Sequence, residues 1–231
     1  MLQAQNISRR FGAAFALQDI SFSVRSGEIL GLIGPNGAGK TTLLEILSGL
    51  LAADSGSVLW RDALLDAGRR KEVMFYLPEA VFPYPDRRAI EVLTLFAQLF
   101  ARPSERLASV ISELALSPIL GSRVGLLSKG YRRRLLLAIG LLSLQPLLIV
   151  DEPFEGLDLR QTREIMQLLR RQAVDRTLLL SIHQLSDAQR LCDRFVLLSE
   201  GRVRGEGDLE ALRLRAGAGQ AGLEEVFLAL T

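Results

Sequence analysis

A glycine-rich loop between an apolar run and a helical pattern constrains the fold of this chain more than any other feature. The loop reads Gly34-Pro35-Asn36-Gly37-Ala38-Gly39-Lys40-Thr41-Thr42. Glu28–Ile33 before it predicts a buried strand, and Thr41–Leu50 after it places leucines at helical spacing. Glycines let successive backbone N–H groups turn toward a phosphate, and the helix adds its positive dipole end. The segment therefore predicts a phosphate-binding loop of the G-x-x-x-x-G-K-[ST] type.

Two side chains of this loop carry predicted roles. Lys40 would place its ammonium between the β- and γ-phosphates of a nucleoside triphosphate, and the Thr41 hydroxyl would bind Mg²⁺. Only three of the 28 basic residues are lysines, at positions 40, 71 and 129, which argues against a chance lysine at this position. The motif alone does not separate a kinase, a GTPase and a motor.

Composition excludes several other classes of protein. A length of 231 residues fits one α/β domain, or a domain with a modest insertion, and a composition of 48% hydrophobic and 23% charged residues excludes intrinsic disorder. Cys192 is the only cysteine of the sequence, which excludes an intrachain disulfide, and His183 is its only histidine, which excludes a multi-histidine metal centre. The net charge of +2 is too balanced to indicate a nucleic-acid partner. Leu135–Val150, the most apolar stretch, is shorter than the ~20 residues of a membrane helix.

The rest of the sequence alternates short apolar runs with helical patterns. Strands are predicted at Val73–Leu77, Leu147–Asp151, Thr177–Ser181 and Phe195–Ser199, and helices at Ser128–Leu144, Leu159–Arg171 and Ser186–Cys192. This alternation predicts an α/β fold with a mostly parallel sheet and helices on both faces. We expect a main domain over residues 1–215, a helical insertion at about 80–125, and a flexible Gly/Ala joint with a short helix over 216–231.

Two acids follow the apolar strand Leu147–Val150. A buried parallel strand would deliver Asp151 and Glu152 to the carboxyl edge of the sheet, where open α/β folds bind ligands. Asp151 could hold Mg²⁺, and Glu152 could polarise a water that attacks a phosphate. His183 follows the next predicted strand and should emerge at the same edge. Two solvated acids at a strand end are the alternative interpretation of the pair, and a surface or core histidine is that of His183.

A third motif completes a family resemblance. Leu127-Ser128-Lys129-Gly130-Tyr131-Arg132-Arg133-Arg134 resembles the signature of ATP-binding cassette (ABC) transporter subunits, usually LSGGQ followed by basic residues. Ser128 lies 88 residues after Lys40 and 23 before Asp151, as in that family. The resemblance spans Leu2 to Leu230. It implies a P-loop NTPase fold with an N-terminal antiparallel β part, a mostly parallel core and a helical insertion subdomain.

The resemblance also implies a head-to-tail dimer that sandwiches two ATP molecules. Ser128, Lys129, Gly130 and Tyr131 would then meet the γ-phosphate bound to the opposite subunit, and Asp158 would lie in a loop that crosses to that subunit. Phe11 falls where the family places an aromatic ring under adenine, although a core phenylalanine is the alternative. His183 matches the family's switch histidine, which contacts the γ-phosphate.

This sequence departs from the family pattern at three positions. Lys129 replaces a signature glycine, Tyr131 replaces its glutamine, and Glu79 stands where a glutamine that reaches Mg²⁺ is expected. The lysine in the signature, the Glu79 loop and the ending Leu223–Leu230 resemble the ABC-2 exporter branch.

The partners implied are a membrane-embedded permease and a second ATP-binding subunit, with the chain cytoplasmic on the inner face of the cell membrane. The aromatic stretch Val81–Pro85 would face the permease. The basic clusters Arg69–Lys71 and Arg132–Arg134 lack interleaved aromatics, so we expect solvated faces and no nucleic-acid partner. The alternatives are a soluble ABC-type ATPase that acts on nucleic acid or the ribosome, and a plain P-loop kinase or regulator.

Overall fold

A computed structural model describes residues 1–79, 81 and 83–231 of the chain. Ala80, in the predicted insertion, and Phe82, in the predicted stretch Val81–Pro85, lie outside these residues. The strands are Leu2–Phe11 (β1), Ala14–Val24 (β2), Ile29–Ile33 (β3), Ser55–Trp60 (β4), Ala63–Leu64 (β5), Met74–Leu77 (β6), Leu147–Asp151 (β7), Thr177–Ile182 (β8), Arg194–Ser199 (β9) and Arg202–Gly207 (β10). The helices are Lys40–Ser48 (α1), Arg70–Val73 (α2), Ala89–Leu99 (α3), Ser104–Glu113 (α4), Lys129–Leu142 (α5), Leu159–Gln172 (α6), Leu185–Leu191 (α7), Leu209–Ala216 (α8) and Leu223–Leu230 (α9).

The strands form a central sheet and an N-terminal antiparallel sheet. The central sheet has the order β10-β9-β3-β8-β7-β6, in which β9, β3, β8, β7 and β6 are parallel and β10 is antiparallel to β9. The second sheet has the order β2-β1-β4-β5 with antiparallel pairing. This confirms the predicted fold class.

The central strands are mostly apolar because both faces of the sheet are covered. Every residue of β3, β7, β8 and β9 is buried. Successive residues face opposite ways, so Leu148 and Val150 pack into a core with helices α3–α7. Leu147 and Ile149 pack into a second core with α1 and the antiparallel sheet. This packing places the carboxyl ends of β3, β7 and β8 at one edge of the sheet.

Helix α5 shows that one sequence expectation was wrong. Arg133 and Arg134 are only 3% and 7% exposed, so the cluster Arg132–Arg134 is not a solvated face. Guanidinium groups can be buried here because they donate to carbonyl oxygens of neighbouring elements: Arg134 donates to Leu114 O and Arg133 to Pro78 O. At the other end of α5, Arg102 donates to Leu142 O at 2.8 Å and to Ser143 O at 2.9 Å.

The C-terminal helices pack onto the same core as the central sheet. Leu223 and Val226 of α9 are fully buried among those core residues. Arg213 of α8 donates to Ala221 O, and the amide of Leu223 donates to Gln189 Oε1 at 2.7 Å. The boundary at 215 and the flexibility of 216–222 stay predictions. No helix within the described part of the chain is long and apolar enough to span a membrane.

A buried ion-pair network joins the two sheets and leads to a stability prediction. Arg194 donates to Glu28 at 3.0 Å and to Glu206 at 2.8 Å, and Glu206 also accepts from the amide of Ser23 in β2. Arg194 and Glu28 are 8% and 7% exposed. We expect Glu28→Ala to lower the free energy of unfolding by about 3–5 kcal/mol, because it leaves a buried guanidinium short of a partner.

Urea denaturation of the purified variants measures this loss. The matched control is Glu72→Ala, which breaks the exposed pair that Glu72 forms with Arg69 at 3.3 Å and should cost at most about 1 kcal/mol. Equal losses in the two variants would contradict a structural role for the buried network.

Candidate nucleotide-binding site

The predicted phosphate loop connects β3 to α1 and lies against neighbouring backbone. Gly39 adopts a φ of 102°, which favours glycine, and a Cβ atom there would lie 2.6 Å from Ala16 O. A Cβ atom at Gly34 would lie 2.2 Å from Leu198 O. Because these neighbours are backbone atoms, they cannot move aside as a flexible side chain would. The loop is therefore held tightly at both ends, with the N-terminus of α1 directed toward its mouth.

Lys40 and Thr41 are the first residues of α1, and both side chains point back into the site. Lys40 is 8% exposed, and its Nζ donates to Gly34 O at 2.8 Å and to Pro35 O at 3.2 Å. Its ammonium therefore lies across the loop. Thr41 Oγ1 donates to Asp151 Oδ2 at 2.8 Å, which joins the loop to the end of β7.

The two predicted acids follow each other at the carboxyl edge. Asp151 is 1% exposed, whereas Glu152 is half-buried and adopts a φ of 51°. The Glu152 carboxylate accepts from the amide of His183 at 3.2 Å and lies 3.4 Å from Ser181 Oγ. Burial raises the pKa of Glu152, the charge of Lys40 opposes this shift, and that of Asp151 adds to it. Glu152 is thus a carboxylate with raised basicity, held in a fixed orientation.

One cleft of about 500 Å³ brings most of the predicted residues together. It is lined by Phe11, Ala16, Asn36, Gly37, Gly39, Lys40, Thr41, Thr42, Glu79, Asp151, Glu152, Glu155 and His183. Phe11 is 53% exposed at the rim, with the Arg9 guanidinium 5.1 Å from its ring centroid, so it is not a core phenylalanine. Gly34 and Ala38 are buried beneath the loop, and Pro35 contributes its carbonyl to Lys40.

The signature residues line a second cleft of about 400 Å³. It contains Ser128, Lys129, Gly130, Tyr131, Arg134, Gly156, Asp158 and Gln161. Ser128 is the N-cap of α5 and accepts from the amide of Tyr131, and Asp158 is the N-cap of α6 and accepts from the amide of Gln161 at 2.9 Å. The Lys129 ammonium lies 3.7 Å from Glu155, which lines the first cleft. Within one chain, the two predicted parts of an ATP site therefore lie in separate clefts.

Three residues that the sequence analysis did not select contact the acids. The Tyr76 hydroxyl lies 3.4 Å from Asp151 Oδ2, and burial raises the pKa of Tyr76, so it is a neutral donor. Ser181 contacts the Glu152 carboxylate, and Arg133 donates to the backbone oxygen of Asp151. Only the position of Ser181 at the end of a predicted strand could have indicated its role.

Comparison with known proteins decides the family. The family model "ABC transporter" matches residues 17–155. An uncharacterized ABC transporter ATP-binding protein of Methanocaldococcus jannaschii is 34% identical over 216 residues, which cover 90% of this chain and 78% of that protein. The chain belongs to the ABC transporter ATP-binding family. This confirms the resemblance recognised in the sequence, and the chain is an ATPase that binds ATP.

Two further relatives of this ABC ATPase support the assignment. The Nod factor export ATP-binding protein I of Burkholderia lata is 37% identical over 216 residues, which cover 90% of this chain and 71% of that protein. A solved ATP-binding subunit of an ABC transporter superposes with a TM-score of 0.90 and 32% identity, and the match covers 100% of this chain and 99% of that one. The fold of this ABC ATPase is thus the same as that of this ATP-binding subunit.

Proposed function

We propose that this ABC ATPase hydrolyses ATP in the cleft between its phosphate loop and the acids of β7, and so powers a separate membrane-embedded permease. The observation that carries this proposal is the convergence of Lys40, Thr41, Asp151, Glu152 and His183 on one cleft. These residues come from three segments that are far apart in sequence. Positioning and charge neutralisation are what phosphoryl transfer requires most from a protein.

The loop and the cleft rim bind the nucleotide. Backbone N–H groups at the start of α1 and the ammonium of Lys40 hold the phosphates, because both are positive and face the cleft. The exposed ring of Phe11 stacks on adenine at the rim. The remaining wall around the phosphates is formed by Asn36, Gly37, Gly39 and Thr42, with Ala38 packed beneath them.

The donor set of the cleft fits Mg²⁺. Thr41 Oγ1 and Asp151 Oδ2 are oxygen atoms 2.8 Å apart, and the Glu79 carboxylate lines the same cleft. Mg²⁺ prefers oxygen ligands and usually keeps several waters and phosphate oxygens instead of an all-protein cage. Thr41, Asp151 and Glu79 would hold the ion, which supplies charge neutralisation on the phosphates when bound.

Glu152 orients the attacking water and accepts its proton. Its raised pKa, its fixed carboxylate and its place in the cleft suit a general base. His183 lies beside Glu152 and contacts the γ-phosphate. Its imidazole donates a hydrogen bond that offsets part of the phosphate's negative charge.

The separation of the two clefts supports a head-to-tail dimer. Ser128, Lys129, Gly130 and Tyr131 of one subunit would complete the ATP site of the other, with Asp158 in the loop that contacts it. Neither site is complete in one chain, so hydrolysis is tied to closure of the dimer. The second subunit is a copy of this chain or a close paralogue.

Ser128→Asp tests the dimer in a Glu152→Gln background that keeps ATP intact. Aspartate preserves the N-cap of α5 but places a negative charge where the triphosphate of the partner would lie. With ATP, size-exclusion chromatography with light scattering should give a dimer for Glu152→Gln and a monomer after Ser128→Asp is added. Ser128→Asn, a neutral N-cap, is the control and should keep more dimer. A dimer that tolerates Ser128→Asp would contradict the proposed interface.

The relatives favour export, and not import, as the direction in which the substrate is transported. The protein from Burkholderia lata carries "Nod factor export" in its name, and the Lys129 and Glu79 departures resemble the same exporter branch. The chain would then work on the cytoplasmic face of the cell membrane.

Affinity purification of this ABC ATPase from detergent-solubilised membranes should recover an integral membrane protein of several spans. Recovery of nucleic acid or ribosomes in its place would favour the alternative ATPase.

A further inference from the structure

Arg133 occupies a position behind the two acids that the proposed function does not use. It lies in the second turn of α5 and is 3% exposed. Its Nη2 donates to the backbone oxygen of Asp151, and its Nη1 lies 3.4 Å from Pro78 O. The Arg133 guanidinium therefore joins α5, which begins at the signature residues, to the carboxyl ends of β6 and β7.

The ladder between β6 and β7 ends beside Arg133. The last paired residues are Leu77 and Val150. The residue that follows β6 is Pro78, which has no N–H group to donate to a neighbouring strand. Arg133 donates to the carbonyl oxygens of the residues that follow this last pair, Pro78 and Asp151. The guanidinium thus gives a donor to two carbonyl oxygens that lie just beyond the last pair of the ladder.

The contact with Asp151 O acts on the geometry of Glu152. That carbonyl belongs to the peptide unit that joins Asp151 to Glu152, and Glu152 turns sharply after it with a φ of 51°. On the other side, the amide of Glu152 donates to Ser181 O at 3.1 Å. The Asp151–Glu152 turn is therefore held between β8 on one side and Arg133 on the other. An unusual backbone conformation of this kind persists only where neighbours hold it.

The electrostatic surroundings keep Arg133 charged. Burial lowers its pKa to about 10, and the charges of Asp151, Glu152, Glu79 and Glu155 oppose that shift. The side chain remains protonated at neutral pH, and its hydrogen bonds to carbonyl oxygens are of the stronger, charge-assisted type.

We propose that Arg133 is a positioning residue for ATP hydrolysis: its guanidinium holds the Asp151–Glu152 peptide unit and so sets the direction of the Glu152 carboxylate. This inference rests on the proposed role of Glu152. Arg133 does not itself line the cleft, and no contact with the nucleotide is proposed for it. Its loss should therefore lower kcat more than it changes the KM for ATP.

Arg133→Met is the informative variant, because it keeps most of the side-chain volume and removes both donors. We expect kcat to fall about 10- to 100-fold, as for a small displacement of a reacting group, with the KM for ATP changed less than about threefold. The matched control is Arg102→Met, which removes two similar guanidinium–carbonyl bonds at the far end of α5 and should leave kcat unchanged. An equal fall in kcat for Arg102→Met would show a general structural effect and overturn the proposal.

A double-mutant comparison tests whether Arg133 acts through Glu152. In a Glu152→Gln background, single-turnover measurements should show that Arg133→Met slows the residual hydrolysis less than about threefold. Equal fold-losses in both backgrounds would mean that Arg133 acts independently of Glu152. If Arg133→Met does not fold, Arg133→Lys keeps the charge and repeats the comparison, with an expected fall of about 3- to 10-fold.

The variants also separate this inference from the proposed function. Wild-type turnover by Glu152→Gln alone would refute the role of Glu152 in hydrolysis. An inactive Glu152→Gln together with wild-type kcat for Arg133→Met would refute only the role of Arg133.

Discussion

Glu152→Gln is expected to lower ATP turnover by about 10²- to 10⁴-fold while ATP binding is kept. The amide has nearly the same size as the carboxylate, but it cannot accept a proton from water, and general-base catalysis contributes an effect of this size. The phosphate loop and Lys40 are untouched, so the Kd for ATP should change less than about threefold. Phosphate release measures the turnover, and calorimetric titration measures the binding.

Glu155→Gln is the matched control for this prediction. Glu155 also lines the cleft, but its carboxylate pairs with the exposed Lys129 and has no proposed role with water. We expect its turnover to stay within a few-fold of the wild-type rate. Comparable losses of turnover in the two variants would show that turnover depends on the negative charge of the cleft and that Glu152 does not act as a base.

Lys40→Ala is expected to weaken ATP binding about 10- to 100-fold. The ammonium is the positive side chain that crosses the phosphate loop, and charge-assisted hydrogen bonds contribute about 1.5–3 kcal/mol each. The substitution also leaves Gly34 O and Pro35 O without their donor, so the loop loses part of its preformed shape. Calorimetric titration with ATP and Mg²⁺ measures the change.

Lys71→Ala serves as the control because Lys71 is an exposed lysine in α2, away from the cleft. Its Kd for ATP should equal that of the wild-type protein. Unchanged affinity in Lys40→Ala would show that the phosphates are not bound at this loop.

The predicted elements agree with the structure where a hydrophobic pattern and a turn signal coincide. The strand Leu147–Asp151 and the helix Leu223–Leu230 have the predicted bounds, and α1 begins one residue before its prediction. The antiparallel sheet was harder to predict in detail, and its strands β1 and β4 were not selected. In β1 the register shifts interrupt the alternation of buried and exposed residues, and in β4 only Val58 is buried, so neither strand shows a clear period of two.

The sequence by itself determined the phosphate loop, the acid pair and their common edge of the sheet. Each of these depends on a few consecutive residues and on the rule that parallel strands present their carboxyl ends together. Only the tertiary structure decided that Arg133 is buried behind Glu152 and that Tyr76 contacts Asp151. In the sequence, Arg133 is one of three consecutive arginines, and periodicity cannot tell a solvated guanidinium from one that satisfies distant carbonyls. Whether Arg133 is buried depends on the carbonyl oxygen of Pro78 at the end of β6, which lies 55 residues before Arg133 along the chain. Only folding brings this carbonyl and the Arg133 guanidinium together.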